Sequence, residues 1–230
     1  MTGEQQQSIE VVHMSLDRIR DVAALHRMAF SGYLNTKLGL PYLRAFLRWF
    51  CEGEEAIALC ALRAGEPVGY VVGAPLGYTQ ALNRSVFVPA LAGILLRPWL
   101  IFDGHFRQTV AGRWQAWRGR DPLDDAPDLP MPTFSLVGIA VHPAARGKRI
   151  GQQLIDAFEA QARAAGACAL RLSVYSDNKA AQRLYTRAGW SHHPRGGAHA
   201  DYYYKLLEKD STVASAFPGA SVHFTGKDGR

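Results

Sequence analysis

The sequence predicts a mixed α/β domain, and three observations carry that reading. Helical and strand periodicities alternate along the chain instead of segregating into halves. Cap and turn residues stand at the ends of those periodic segments, where each element has to stop. The balance of 230 residues, 48% hydrophobic and 20% charged, is that of an ordinary globular protein, which excludes a disordered, collagenous or coiled-coil chain. That length suits one domain carrying a substantial insertion.

The elements follow in order. Residues 9–14 read as a short strand, and Ser15 is placed to N-cap a helix with Asp17 in its first turn. Leu16, Ile19, Val22, Ala23, His26 and Phe30 recur there at helical spacing. Pro41 opens a second helix carrying Tyr42, Leu43, Phe46, Leu47 and Phe50. Two β-rich runs, 56–62 and 67–74, flank Arg63-Ala64-Gly65-Glu66, a hairpin signal. Residues 76–132 differ in character. A nearly apolar run from Val86 to Phe102, broken by Pro89, Arg97 and Pro98, precedes an Arg/Trp stretch and a Pro/Asp linker. This block reads as a helical insertion whose apolar helix covers one side of the sheet. Phe134 to Val141 has the continuous apolar character of a central strand. A helix with Ile150, Leu154, Ile155 and Phe158 on one face follows, closed by Gly166. Leu170, Leu172 and Val174 alternate as a strand, 178–188 is a helix stopped by Gly189, and 201–207 is a last strand. Residues 209–230 are expected to be a disordered tail.

The net charge of +6 favours anionic partners but singles out none. Cys51, Cys60 and Cys168 form no Cys-x-x-Cys pair, so a disulfide scaffold and a zinc ribbon are disfavoured and a reducing compartment is expected. The first residues lack a basic stretch followed by an apolar one, which fits a cytoplasmic rather than a secreted protein. The histidines show no ligand spacing, and no metal site is expected. A Gly-x-Ser-x-Gly elbow, a Walker A loop and a dinucleotide fingerprint are all missing from the sequence.

Two segments carry chemistry. In the first, a strand ends at Val141 and a turn with Arg146, Gly147, Lys148 and Arg149 leads into a helix starting near Ile150 and Gly151. Small residues let a ligand approach the backbone, helix-start N–H groups favour anions, and basic side chains add charge-assisted contacts. Such a turn suits a pyrophosphate. In the second, Asn178 and Tyr185 are seven residues apart on one helix face, with the small Ala181 between them. A phenol is protonated at neutral pH and can donate.

Together, the strand, the Arg-x-x-x-x-Gly turn and Asn-x-x-Ala-x-x-Leu-Tyr-x-x-x-Gly-Trp resemble the GNAT family of N-acetyltransferases, tightly over 134–190 and more loosely over 9–75. The resemblance implies one domain over 1–208 with a strongly bent central sheet, open where acetyl-CoA enters. It implies direct acetyl transfer to an amine. Backbone groups of Ile139 and Val141 would pair with the pantetheine arm, and Arg146, Gly147, Lys148, Arg149, Ile150 and Gly151 would hold the pyrophosphate. Asn178 would help fix the cofactor, and Tyr185 would protonate the leaving thiolate as catalytic acid. The sequence departs from the family at Arg149, where a glycine is usual, and on the strand, where Ser135, Val137 and Gly138 offer no carboxylate base. Asp103, His105, Asp177 or a water chain are the candidates for that role.

The expected acceptor is a small-molecule amine, an amino sugar among the options, with no nucleic-acid partner and with a homodimer admitted. Competing readings are an acyl-CoA-binding protein without turnover and a membrane-surface acyltransferase acting on a lipid-linked amine. For the latter, Trp99, Trp114 and Trp117 among arginines would make peripheral membrane contact.

Overall fold

The computed structural model describes residues 8–30, 33–102, 104, 128–194 and 200–208. Asp103, His105, His199, the Arg/Trp stretch and the tail from 209 onward lie outside the described residues.

Strand β1 (Ile9–His13) leads into a 3-10 turn over Leu16–Arg18 and then into helix α1 (Ile19–Ala29). Ser15 is extended but makes no side-chain cap hydrogen bond, so the expected helix begins as a tighter turn. A four-residue helix α2 (Leu34–Lys37), which the periodicity did not indicate, precedes α3 (Leu40–Glu52). Gly39, at φ +95°, turns the chain into α3, and Pro41 sits in its first turn. The hairpin of β2 (Ile57–Arg63) and β3 (Glu66–Pro75) turns through Ala64 and Gly65, both at positive φ. Two such residues give the primed turn whose twist matches that of paired strands.

After α4 (Thr79–Leu95) come β4 (Thr133–Val141), α5 (Ile150–Ala164), β5 (Ala169–Tyr175), α6 (Lys179–Arg187), β6 (Ser191–His193) and β7 (Ala200–Leu206). Among the described residues the strands form one open sheet in the order β1-β2-β3-β4-β5-β7-β6. Its one parallel pair is β4 with β5.

That pair positions the site. Thr133, Phe134 and Ser135 pair with Ala169, Leu170 and Arg171, and beyond them the two strands have no further partners in each other. Arg171 Nε donates to Ser135 Oγ at 3.1 Å, buried at the root of the split. On its other side β4 stays paired with β3 as far as Val141, with a register shift that leaves Val137 as an extra residue.

Each face of the sheet has its own core. Helices α1 and α3 cover Cys60, Tyr70, Val72 and Ala140 on one side. Helix α5 covers Val71, Leu136 and Leu170 on the other, through Leu154, Ile155 and Phe158. Phe158 fits only because Gly73 lacks a side chain: a Cβ there would stand 2.4 Å from its ring and from the Ser135 carbonyl oxygen.

The insertion corrects one expectation. Helix α4 packs on α3, not on the sheet, because α1 and α3 already occupy that face. The contact is close at Gly93, where a Cβ would meet the Leu38 carbonyl oxygen at 2.5 Å. Leu82 and Val86 are buried there, whereas Phe87, Val88, Leu91 and Leu95, with Leu96, Trp99 and Phe102 after them, are exposed.

Candidate active site

The split between β4 and β5 opens a cleft of about 1100 Å³. Its floor is the free edge of β4. The His142 N–H donates to Val68 O on the β3 side, and Ala140 stands opposite Tyr70 in the same ladder. With a period of two, the N–H and C=O groups of Ile139 and Val141 therefore point to the open side, where β5 has already diverged. An extended ligand bearing amides finds an unpaired strand edge there.

Past β4 a short turn over Pro143–Ala145 swings the chain round, and His142 Nδ1 accepts from the Ala144 N–H at 3.2 Å. Gly147 stands at φ +81° and Arg149 at φ +58°. This explains the glycine expected at position 149. The turn requires a left-handed residue before α5, and arginine meets that need at a strain of roughly 1–2 kcal/mol. The first N–H groups of α5 have no intrahelical acceptors, and beside them Arg146, Arg149 and Arg187 line the cleft. Ile150 and Gly151 line it too, whereas Lys148 is exposed and does not. Gly151 carries a packing role that its spacing did not disclose, since a Cβ there would stand 3.1 Å from Leu184 on α6.

Helix α6 is started by Asn178, whose Oδ1 accepts from the Ala181 N–H at 3.1 Å. Its far end is tied down by a buried acid. Glu159 accepts from Trp190 Nε1 at 2.8 Å and from Lys205 Nζ at 2.7 Å, and Lys205 also donates to the Ala188 carbonyl. Between these anchors Tyr185 lines the cleft while only 5% exposed, packed against Trp190 and Tyr203. Burial pushes its hydroxyl far above the usual tyrosine range, so it keeps its proton at neutral pH. The structure thus brings Ile139, Val141, Arg146, Gly147, Arg149, Ile150, Gly151, Asn178 and Tyr185 to one cleft, and leaves Lys148 outside it. Asp177 also lines the cleft.

Sequence reasoning missed the opposite wall. His26, Phe30 and Tyr33 line it, with ring centroids 4.9 and 5.0 Å apart in succession, and Tyr33 reaches across to within 5.3 Å of Tyr175. Asn178 Nδ2 donates to the Tyr33 hydroxyl at 3.5 Å. The only sign of His26 in the sequence was a polar ring within the apolar stripe of α1. Tyr33 carried no sign, since its partner lies 145 residues away. Among the described residues no His/Cys/Asp/Glu group is arranged to hold a metal ion.

The open strand edge, the left-handed turn and the helix start follow one another along the cleft. The model of the acetyltransferase (GNAT) family matches residues 21–190, and the chain belongs to that family: it is an acyl-CoA-dependent acetyltransferase whose co-substrate is acetyl-CoA. Its fold is similar to that of a PaiA N-acetyltransferase from Thermoplasma acidophilum in complex with coenzyme A, at TM-score 0.51 and 13% identity over 87% of this chain and 99% of that one. It is similar to a Thermus thermophilus acetyltransferase (TM-score 0.54, 15% identity, 87% and 97% covered). A ribosomal-protein-alanine N-acetyltransferase from Brucella melitensis matches at TM-score 0.53 and 18% identity, with 86% and 99% covered. A comparison with curated protein sequences finds no match.

Proposed function

We propose that this acetyltransferase moves the acetyl group directly to the primary amine of a small-molecule acceptor, with Tyr185 as the general acid. The observation that carries the reading is the continuity of one cleft from the free edge of β4, past Arg146–Gly151, to the buried hydroxyl of Tyr185. When bound, acetyl-CoA supplies an activated acyl group and a thiolate leaving group. The chain's part is to bind, orient and exclude water. Ile139 and Val141 would hold the pantetheine amides, and Arg146, Gly147, Arg149, Ile150 and Gly151 the pyrophosphate. Asn178 would fix the start of α6. Tyr185, kept protonated at neutral pH by its burial, would give its proton to the departing sulfur as the carbon–sulfur bond breaks.

The small-acceptor part rests on Tyr33. Its reach to Asn178 and Tyr175 narrows the cleft opposite the cofactor edge, which suits a slender amine such as an amino sugar better than a folded protein surface. The ribosomal-protein-alanine N-acetyltransferase among the structural neighbours makes a protein α-amine the direct alternative. A screen of acetyl-CoA against metabolite amines, amino sugars and N-terminal peptides, read as CoA release and product mass, decides between them. Acetylated peptides with untouched metabolites would overturn the small-molecule reading. CoA binding without any release would favour a non-catalytic acyl-CoA-binding protein.

A second reading has its own observation, the exposed apolar side chains from Phe87 to Phe102. Among the described residues no helix is long and apolar enough to cross a membrane, so contact would be peripheral. Sedimentation with anionic vesicles at low salt, lost on Trp99→Ala with Leu95→Ser, would support a lipid-linked acceptor. We place the reaction in the cytoplasm, in keeping with the free cysteines.

A further inference from the structure

Three glycines interrupt the strands beside the cleft, Gly69 and Gly73 in β3 and Gly138 in β4. A glycine inside a strand weakens it and commonly marks a place where something approaches the backbone closely. At Gly69 that something is the Ala140 carbonyl oxygen, 3.0 Å from where a Cβ would stand, and at Gly73 it is the Phe158 ring at 2.4 Å. No described residue accounts for Gly138 in this way. A Cβ there would find Val72 Cγ2 at 3.5 Å and the Tyr70 hydroxyl at 3.6 Å, which are ordinary contact distances. Its φ is not left-handed either, so the backbone would accept a side chain.

The space that Gly138 leaves belongs to the cleft. The three atoms nearest to that Cβ position are all on β3, and the helices stand farther off. Ala29 and Phe30 at the end of α1, Phe46 of α3 and Val137 beside the glycine all line the cleft, and they pack in the cluster that holds Tyr70 and Val72. The polar atoms nearby are turned on each other, since His26 Nδ1 and the Tyr70 hydroxyl share a hydrogen bond. Burial holds the His26 ring down to about 4, so it carries no charge at neutral pH. A recess with these walls disfavours an ammonium group and favours hydrocarbon.

The recess also lies where an acyl chain would begin. Burial pushes the Tyr70 hydroxyl far above the usual tyrosine range, and Tyr185 is near enough to add to the rise. Gly138 thus stands beside a hydroxyl that neighbours the proton donor proposed for the sulfur. It also directly precedes Ile139, on the strand edge that would hold the pantetheine. We infer that the recess between Gly138, Val137, Ala29, Phe30 and Phe46 receives the acyl chain of the thioester, and that the protein binds CoA thioesters of straight-chain acyl groups longer than acetyl; this rests on the CoA-binding reading above. A side chain at position 138 would stop the chain at acetyl, and glycine omits that stop. The polar end of the cleft, at Tyr33 and Asn178, stays open to the acceptor.

S-Alkyl-CoA thioethers, which cannot transfer, test the recess by calorimetry on the full chain without any acceptor. S-Ethyl-CoA reaches as far as an acetyl group, and S-butyl-CoA as far as a butyryl group. S-Butyl-CoA should bind the wild type about tenfold more tightly than S-ethyl-CoA, about threefold for each buried methylene. In Gly138→Val, S-ethyl-CoA should bind as it does to the wild type while the tenfold gain is lost, because a branched side chain takes the place of the alkyl chain. Ala29→Leu, which fills the recess from the helix side, should remove the gain as well, and it decides the matter if Gly138→Val does not fold. Equal or weaker binding of S-butyl-CoA by the wild type would overturn the assignment of the recess. So would a full gain retained in either folded variant. In both cases wild-type binding of S-ethyl-CoA leaves the CoA-binding reading standing. Failure of the wild type to bind CoA and S-ethyl-CoA would strike that reading, and the recess with it.

Discussion

The two walls of the cleft are built on different rules. The wall from β4 through α5 to α6 comes from consecutive segments. Most of what it offers is backbone: an unpaired strand edge, left-handed turn residues and the start of a helix. The wall formed by α1 and the segment leading into α2 presents the rings of His26, Phe30 and Tyr33, held by partners far off in the chain, His26 by Tyr70 over 44 residues and Tyr33 by Asn178 over 145. On the proposed reading the first geometry, mostly backbone, would meet the cofactor. The second, made of side chains, would meet the acceptor, and the difference teaches where specificity would then reside.

The comparison can be broken hardest at Gly151. In Gly151→Glu the Cβ would press on Leu184, and a carboxylate would enter the cationic mouth. Overpacking and like charge together should weaken CoA binding by ~10²–10³-fold, about 3–4 kcal/mol, in a protein whose fold is intact by circular dichroism. Wild-type affinity by calorimetry would move the cofactor away from this wall. Tyr185→Phe asks for less. Acetyl-CoA should bind as before while kcat falls by ~10²-fold, because only a proton donor is removed. An unaltered kcat, with chemistry shown to limit the rate, would retire Tyr185 as the acid. Arg149→Asn sharpens the comparison further, because asparagine tolerates the left-handed turn and carries no charge. CoA affinity should drop about tenfold at low salt and by less at high salt, with the melting temperature unchanged or slightly raised. A loss that ignores salt would mean that the turn's shape is the feature CoA reads and that the arginine charge is not.

What could be read from the sequence follows the same division. The wall from β4 to α6 is local, so its strand, turn and helix stand in order within 134–190, and short-range rules identify them. Even its one irregular residue, Arg149, stood out as a departure before its φ of +58° gave the reason. The hairpin at Ala64-Gly65 was legible on the same grounds. The opposite wall was not. His26 recurs with Ile19, Val22 and Ala23 as one more residue of a buried face, and periodicity cannot tell that its ring lines a cleft. From Val86 onward helix α4 is apolar on all sides, so its sequence does not say which side packs, and only the structure shows α3 already in place over the sheet. The Glu159–Lys205–Trp190 cluster that holds the end of α6 likewise joins residues far apart in the chain.

The central claim is that acetyl-CoA lies along the free edge of β4 and over the start of α5. Amide hydrogen exchange, resolved by residue with and without saturating CoA, measures it directly. In the free protein the amides of Ile139 and Val141 face the open side of the strand and should exchange faster than that of Ala140, which is committed to β3. On addition of CoA, Ile139, Val141 and the amides from Gly147 to Gly151 should become protected, with α4 unchanged. Protection confined to α4 or α3, with Ile139 and Val141 still exchanging freely, would contradict the account.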